Sequence, residues 1–204
     1  MSFHPTMPYG TEQWHRSMRA TLPEGTEFSY TPENRANFEE FASHYAPENR
    51  VSAVLHALYL VQEQQGYLTA NALRHAAQFL RITPAEVEDV VTYYVMFFRA
   101  PVGTYVLQVC RTLSCALAGA ERVTESLSEK LGLKVGETDA SGMFTLMEFE
   151  CLGACDRAPV VMVNNEHWHE AATPENCSKL VDDLRQQGTS ALSGCHLHVE
   201  GRRQ

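Results

Sequence analysis

The sequence predicts an α+β protein in two successive parts: a bundle of four short helices over residues 33–103, then a layered sheet domain over residues 104–188. Three observations carry that expectation. Apolar residues recur at helical spacing from residue 33 to about 100. From Tyr105 onward they fall in short, strand-like runs instead. Prolines, glycines and hydroxyl caps then divide both stretches into elements.

Residues 1–32 hold Pro5, Pro8, Pro23 and Pro32 with Gly10 and Gly25, and no sustained periodicity. They read as an irregular arm that orders against a partner. The first helix places Phe38, Phe41, Ala42 and Tyr45 on one face. A second follows Pro47, with Val51, Val54, Leu55, Leu58 and Val61 on its stripe, and ends near Gly66. Thr69 caps a third, whose face is Leu73, Ala76, Ala77 and Leu80. The fourth opens at Thr83-Pro84-Ala85-Glu86, where a threonine N-cap, a proline in the first helical position and a glutamate at the third satisfy three start rules together. Its face is Val87, Val90, Val91, Tyr94 and Phe98, and Pro101 with Gly103 stops it.

Tyr105–Cys110 reads as a buried strand, followed by a helix from about 115 to 131 that bears Leu117, Val123, Leu127 and Leu131 ahead of Gly132. Further strands are expected near Lys134–Glu137, over Phe144–Glu150 and over Pro159–Val163. Asn164-Asn165 offers a hairpin turn, with Glu166–His169 as the return strand. Thr173-Pro174 begins a last helix with Cys177, Leu180, Val181 and Leu184 on one face and Gly188 after it. The tail over residues 189–204 has no pattern. Strand, helix, strand, hairpin and helix in that order describe a thioredoxin-like layered sheet.

A formal charge of −9 with only three lysines, Lys130, Lys134 and Lys179, opposes a nucleic-acid partner, because phosphates need clustered Lys and Arg. It is equally unsuited to an anionic membrane surface. No apolar run approaches the roughly 18–20 residues of a bilayer-spanning helix, so no direct membrane insertion is expected. The N-terminus, with Glu12, Trp14, Arg16 and Arg19, lacks the apolar stretch of a secretory signal. Arg16, Ser17 and Arg19 leave a mitochondrial transit peptide open, and Glu12, Glu24 and Glu27 weigh against one. An acidic chain of this kind is expected to be soluble, or a peripheral subunit docked on others, with reduced thiols committed to a metal.

Four cysteines carry the chemistry. Cys110 and Cys115 enclose four residues, Cys151 and Cys155 enclose three, and 35 residues separate the pairs. Each pair begins at the end of a predicted strand, where loops leave a sheet and side chains converge. Structural zinc favours Cys-x2-Cys, a thioredoxin redox site needs Cys-x-x-Cys, and a plant-type ferredoxin packs three ligands into one loop. Wider pairs on two loops suit a binuclear cluster, one pair on each iron, with a net charge of about −2 that becomes about −3 on reduction. Gly153 permits a positive φ inside the second loop, letting backbone N–H groups approach sulfur. Thr112 and Ser114 offer donors inside the first. Arg111 and Arg157 either offset the cluster charge or face solvent or a partner. The plain alternative is four buried thiols that never meet. The alternative from another class is a structural zinc module.

Cys177 lies on the apolar stripe of the last helix and reads as a small buried hydrophobe. Cys195, His196 and His198 form a soft-ligand tract in a tail that reads as unstructured. His167 and His169 alternate on a short strand and, with no third partner, read as solvated. No Gly-x-Gly-x-x-Gly or Gly-x-x-x-x-Gly-Lys-Ser/Thr follows a strand, and no Ser-His-Asp or Cys-His arrangement is defensible. The chain is therefore expected to carry electrons and to leave hydride chemistry to a partner.

The residues also resemble a known family. Cys-x4-Cys and Cys-x3-Cys, with Glu150-Cys151-Leu152-Gly153-Ala154-Cys155 and then Ala158-Pro159-Val160-Val161-Met162-Val163-Asn164, look like the thioredoxin-like [2Fe-2S] subunit, the E subunit, of bacterial NADH:quinone oxidoreductase. Ser52–Leu58 with Gln62–Leu68, and Val90–Phe97 with Pro101-Val102-Gly103, are similar to the same family's helical part. The resemblance runs from about residue 36 to 188. It implies a thioredoxin-like [2Fe-2S] ferredoxin domain over 104–188, with Cys110, Cys115, Cys151 and Cys155 as cluster ligands. It implies a flavoprotein partner that binds NADH and FMN, and other peripheral-arm subunits. The chain would take single electrons from reduced FMN, on the cytoplasmic face of the membrane or in the mitochondrial matrix of a eukaryote, and would not oxidise NADH alone. The same module also serves as a diaphorase subunit of NAD-reducing hydrogenases and NAD-dependent formate dehydrogenases.

Overall fold

The computed structural model describes residues 22–192. The chain divides into two units between Pro101 and Val102. In the first, the described residues form α1 (Pro32–Ala42), a 3-10 turn (Pro47–Ala53), α2 (Val54–Gln65), α3 (Ala70–Leu80) and α4 (Pro84–Tyr93). Three of the four helix starts have a local cause. Thr31, Thr69 and Thr83 accept from the amides of Asn34, Ala72 and Glu86, and Glu86 Oε2 accepts the Thr83 N–H at 2.8 Å to close a capping box. Gly66, at φ +86°, ends α2 in the left-handed region. Phe38, Leu58, Val61, Leu73, Ala76 and Val87 form the core of this unit.

Three features of the first unit differ from the expectations above. The described part of the arm, residues 22–31, is irregular but packs on its own unit: Phe28 and Tyr30 are buried, and Tyr30 donates to the Ala57 carbonyl at 3.0 Å. Tyr45 lies beyond the end of α1 and is exposed. Finally, α4 stops at Tyr93 and does not carry Phe98. Gln62 supplies the reason, since its amide donates to the Met96 carbonyl at 3.0 Å and accepts from the Phe98 N–H at 2.7 Å. That clasp turns the chain so that Phe98 O accepts from Leu68 N.

The second unit comprises β1 (Tyr105–Cys110), α5 (Leu113–Leu117), α6 (Ala120–Leu131), β2 (Phe144–Phe149), β3 (Val161–Val163), β4 (His167–His169) and α7 (Pro174–Gln187). Strand order is β2-β1-β3-β4, with β1 parallel to β2 and the other pairs antiparallel. The parallel pair needs a long crossover, which α5 and α6 provide, while β3 and β4 need only a hairpin. Asn164 and Asn165 make that turn at φ +57° and +61°, where asparagine is among the residues best tolerated. Tyr105, Leu107 and Val109 of β1, Phe144 and Leu146 of β2, and Val161 and Val163 of β3 meet Val123 and Leu127 of α6 and Leu180, Val181 and Leu184 of α7.

Three sequence expectations are corrected in this unit. The helix expected over 115–131 is two helices, broken at Gly119 (φ +100°), and Leu117 is 81 % exposed. Lys134–Glu137 is not a strand but a turn: the Glu137 N–H donates to the Lys134 carbonyl at 3.0 Å and the Glu137 carboxylate accepts the Lys134 N–H at 2.9 Å, while Gly136 and Glu137 bond Leu146 of β2 and Thr138 bridges Thr145. Past residue 188 the described chain continues as a 3-10 turn (Gly188–Leu192), which buries Leu192. Among the described residues no helix is long and apolar enough to cross a membrane.

Candidate metal centre

Cys110 ends β1, and its side chain is buried. Two residues on, Thr112 stands at the start of α5, whose third residue is Cys115, also buried. Cys151 follows β2, and Cys155 opens a 3-10 turn (Cys155–Arg157); both are exposed. Because β1 and β2 are parallel neighbours, with Cys110 opposite Phe149, the two loops leave the same end of the sheet side by side. Topology alone brings the cysteine pairs together.

The direct contacts between sulfurs run within the pairs. Cys151 Sγ and Cys155 Sγ stand 3.5 Å apart, and Cys110 Sγ lies 3.3 Å from Thr112 Oγ1. Cys110 and Cys115 share a hydrogen bond, and Cys110 interacts electrostatically with both Cys151 and Cys155. Each pair is polarised. Burial opposes ionisation of Cys110, but hydrogen bonds from the Thr112 hydroxyl, the Thr112 and Leu152 amides and the Cys115 thiol outweigh it and bring its pKa down. Cys115 is pushed up to about 11, first by burial and then by its hydrogen bond to Cys110. Likewise the Gly153 amide and the Cys155 thiol lower Cys151, and the same Cys151–Cys155 bond raises Cys155.

Backbone amides are aimed at sulfur from several sides: Thr112 and Leu152 at Cys110, Gly153 at Cys151, and Val160 at Cys115. Gly153 sits at φ +82°, the positive φ expected of it from the sequence. Thr112 also reaches Cys151, and Ser114 reaches Cys155. This donor set fits an anionic iron–sulfur group. The thiols would supply the ligands, and the N–H and O–H donors would stabilise the negative charge on sulfur. Among the described residues no three His, Cys, Asp or Glu side chains close on a single ion. The thiols come two and two.

Other residues named from sequence fall elsewhere. Arg111 is held at 2.7 Å by Glu150 and at 3.9 Å by Glu148, so carboxylates share its charge. Arg157 pairs with Asp156 at the surface. Cys177 is fully buried on α7, and burial pushes its thiol up to about 12, as befits an inert core residue. His167 and His169 are half-buried rather than solvated, and burial lowers the pKa of His169. The Cys195, His196 and His198 tract lies outside the described residues, as do residues 1–21 of the arm.

Two residues near the site are not singled out by the sequence. Gln108, in the middle of β1, is fully buried and clasps the hairpin: it donates to Asn165 Oδ1 at 2.6 Å and accepts from the Asn165 N–H at 3.1 Å. Trp168 on β4 donates from Nε1 to the Leu152 carbonyl, inside the second cysteine loop. A glutamine within the apolar run Tyr-Val-Leu-Gln-Val-Cys is the available signal for the first. Nothing local marks the second.

The chain is similar to known proteins. The chain is 44 % identical over 140 residues to the E subunit of NADH-quinone oxidoreductase from Mycobacterium tuberculosis, covering 69 % of this chain and 55 % of that protein. It therefore spans little more than half the length of that relative. The E subunit of NADH-quinone oxidoreductase from Rickettsia bellii is 38 % identical over 159 residues, 78 % of this chain and 95 % of that one. In fold the chain is similar to an NAD+-reducing [NiFe]-hydrogenase in the H2-reduced state, with a TM-score of 0.57 at 18 % identity, covering 69 % of this chain and 24 % of that chain. Residues 38–185 match the thioredoxin-like [2Fe-2S] ferredoxin model, nearly three quarters of the sequence. The chain belongs to the thioredoxin-like [2Fe-2S] ferredoxin family.

Proposed function

We propose that this chain is the electron-transfer component of an NADH:quinone oxidoreductase, taking single electrons from the reduced FMN of a partner flavoprotein. Cys110, Cys115, Cys151 and Cys155 are its ligands for one [2Fe-2S] cluster, one pair on each iron. The observation that carries this reading is the convergence of two thiol pairs from adjacent loops, with amides of both loops directed at sulfur. The names of the two NADH-quinone oxidoreductase relatives support the host complex. The cluster, when bound, supplies a one-electron couple.

The chain's own residues do the rest. Cys110 and Cys115 fix the inner edge of the site in the core, and Cys151 and Cys155 leave its outer edge at the surface. Beside them Leu113 and Leu117 stand 75 % and 81 % exposed on the short helix that carries Cys115. That apolar pair, on the helix that carries Cys115, is where the flavoprotein docks, which keeps the site close to the flavin and excludes water between them. The helices of the first unit form one bundle, and the assembly sits peripherally on the cytoplasmic face of the membrane, or in the matrix of a mitochondrion. NADH and FMN bind the partner only, so the isolated chain does not oxidise NADH.

Anaerobically prepared protein is expected to be red-brown, to contain iron and acid-labile sulfide, and to bleach with dithionite. Colourless protein with zinc in place of iron would reject the reading. Purifying the tagged chain from its own cell tests the host, and the expected companion is a flavoprotein that oxidises NADH.

A further inference from the structure

The loop that carries Cys151 and Cys155 is held from the hairpin side by a tryptophan. Trp168 lies on edge strand β4, opposite Met162 of β3, and packs half-buried against the core of its unit. Its Nε1–H donates to the Leu152 carbonyl at 3.0 Å. Indole nitrogen is a donor only, so this is the one hydrogen bond Trp168 has to give.

The Leu152 carbonyl and the Gly153 amide are two ends of one trans peptide unit. In such a unit the C=O and N–H point in opposite directions from a rigid plane. Holding the carbonyl toward Trp168 therefore aims the Gly153 N–H away from it, and that N–H is the donor to Cys151 Sγ. Accepting a bond at the carbonyl also polarises the same unit and strengthens it as a donor. Trp168 is well placed to do this because its hairpin is itself fixed. Val106 donates to Asn164 Oδ1 at 2.7 Å, Asn164 donates to the Thr104 carbonyl at 2.9 Å, and Gln108 exchanges two hydrogen bonds with Asn165. The path from the central strand to the cysteine loop thus runs through the turn and β4 to one indole.

We propose that Trp168 is a positioning residue of the thiolate site: through the Leu152 carbonyl it sets the Gly153 N–H···Sγ bond of Cys151, and so raises the reduction potential of the cluster. This rests on the reading that the four thiols hold a [2Fe-2S] cluster. A donor to sulfur stabilises the more negative, reduced state more than the oxidised one, so weakening it makes reduction harder.

The test is a redox titration, followed by electron paramagnetic resonance, of the anaerobically prepared full chain and Trp168→Phe. The variant is expected to keep its iron and sulfide content. Its midpoint potential is expected to fall by the equivalent of about a twofold to tenfold drop in the reduction equilibrium constant, the range of one lost hydrogen bond, with shifted g values. Should Trp168→Phe fail to fold, benzothienylalanine at position 168 removes the N–H while keeping the ring outline, and the same drop is expected. An iron-loaded variant with wild-type potential and g values overturns the role of Trp168 alone. Wild-type protein without iron and sulfide overturns the cluster reading beneath it.

Discussion

Gly153→Ala tests how the second cysteine loop is held. Gly153 sits at φ +82°, where an L-residue pays roughly 1–2 kcal/mol. A β-carbon built there meets nothing within 4 Å, so crowding adds no cost and the penalty is purely one of backbone conformation. The loop has two responses. It can accept the strain in place, or it can rotate the Leu152–Gly153 peptide into a better region and give up both hydrogen bonds of that unit. The indole–carbonyl bond is worth about 1 kcal/mol, and a bond to a charged sulfur about 1.5–3 kcal/mol. Their sum exceeds the strain, so the variant is expected to keep its geometry and lose about 1–2 kcal/mol of stability. In a unit of this size that lowers the thermal midpoint by about 4–8 °C for each kcal/mol. Circular dichroism of the reduced apoprotein reads the midpoint, and iron stoichiometry after reconstitution reads the site. A midpoint equal to that of wild type would refute the strain argument, and normal stability with lost iron would refute the ordering of the two costs.

Three further outcomes follow from the same geometry. Gln108→Leu removes both hydrogen bonds to Asn165 from the interior and is expected to cost about 1–3 kcal/mol, read by urea unfolding of the second unit. Leu117→Asp places a charge on a face that is already solvated, so iron content and melting should hold while co-purification of the flavoprotein falls by roughly tenfold or more; undiminished capture would move the docking face elsewhere. Cys177→Ala deletes one buried sulfur in the first turn of α7, with a stability loss of about 1 kcal/mol and an unchanged visible spectrum, and bleaching there would overturn the ligand assignment.

The sequence discloses what is decided within a few residues of itself. Thr83-Pro84-Ala85-Glu86 fixes a helix start because cap, proline and glutamate act inside one turn, and the capping box stands where the sequence places it. Asn164-Asn165 fixes the hairpin because both residues tolerate positive φ. What stays hidden depends on partners far along the chain. Nothing near Tyr94 ends α4 there; Gln62, more than thirty residues earlier, does so by capturing Met96 and Phe98. Trp168 reads locally as one aromatic between two histidines, and its bond to Leu152 appears only after the hairpin folds back beside the cysteine loop. Lys134–Glu137 reads as a short strand, yet a backbone bond from the Glu137 N–H to the Lys134 carbonyl, with the lysine amide held by the glutamate carboxylate, makes it a turn.

The leucines of α5 show how a missed pattern becomes informative. Spacing alone puts Leu117 on a continuous core stripe with Val123 and Leu127, which the break at Gly119 rules out. Once Cys115 turns inward, residues two positions to either side lie roughly 200° around a helix from it. Leu113 and Leu117 must then face outward together, and they do. Burial of the thiol and exposure of the two leucines are one geometric fact, so the helix cannot aim Cys115 into the site without presenting an apolar pair beside it. A lone five-residue helix gains nothing in water from that pair. Replacing both leucines with serine should therefore leave the stability of the isolated chain nearly unchanged and weaken only its association with the flavoprotein.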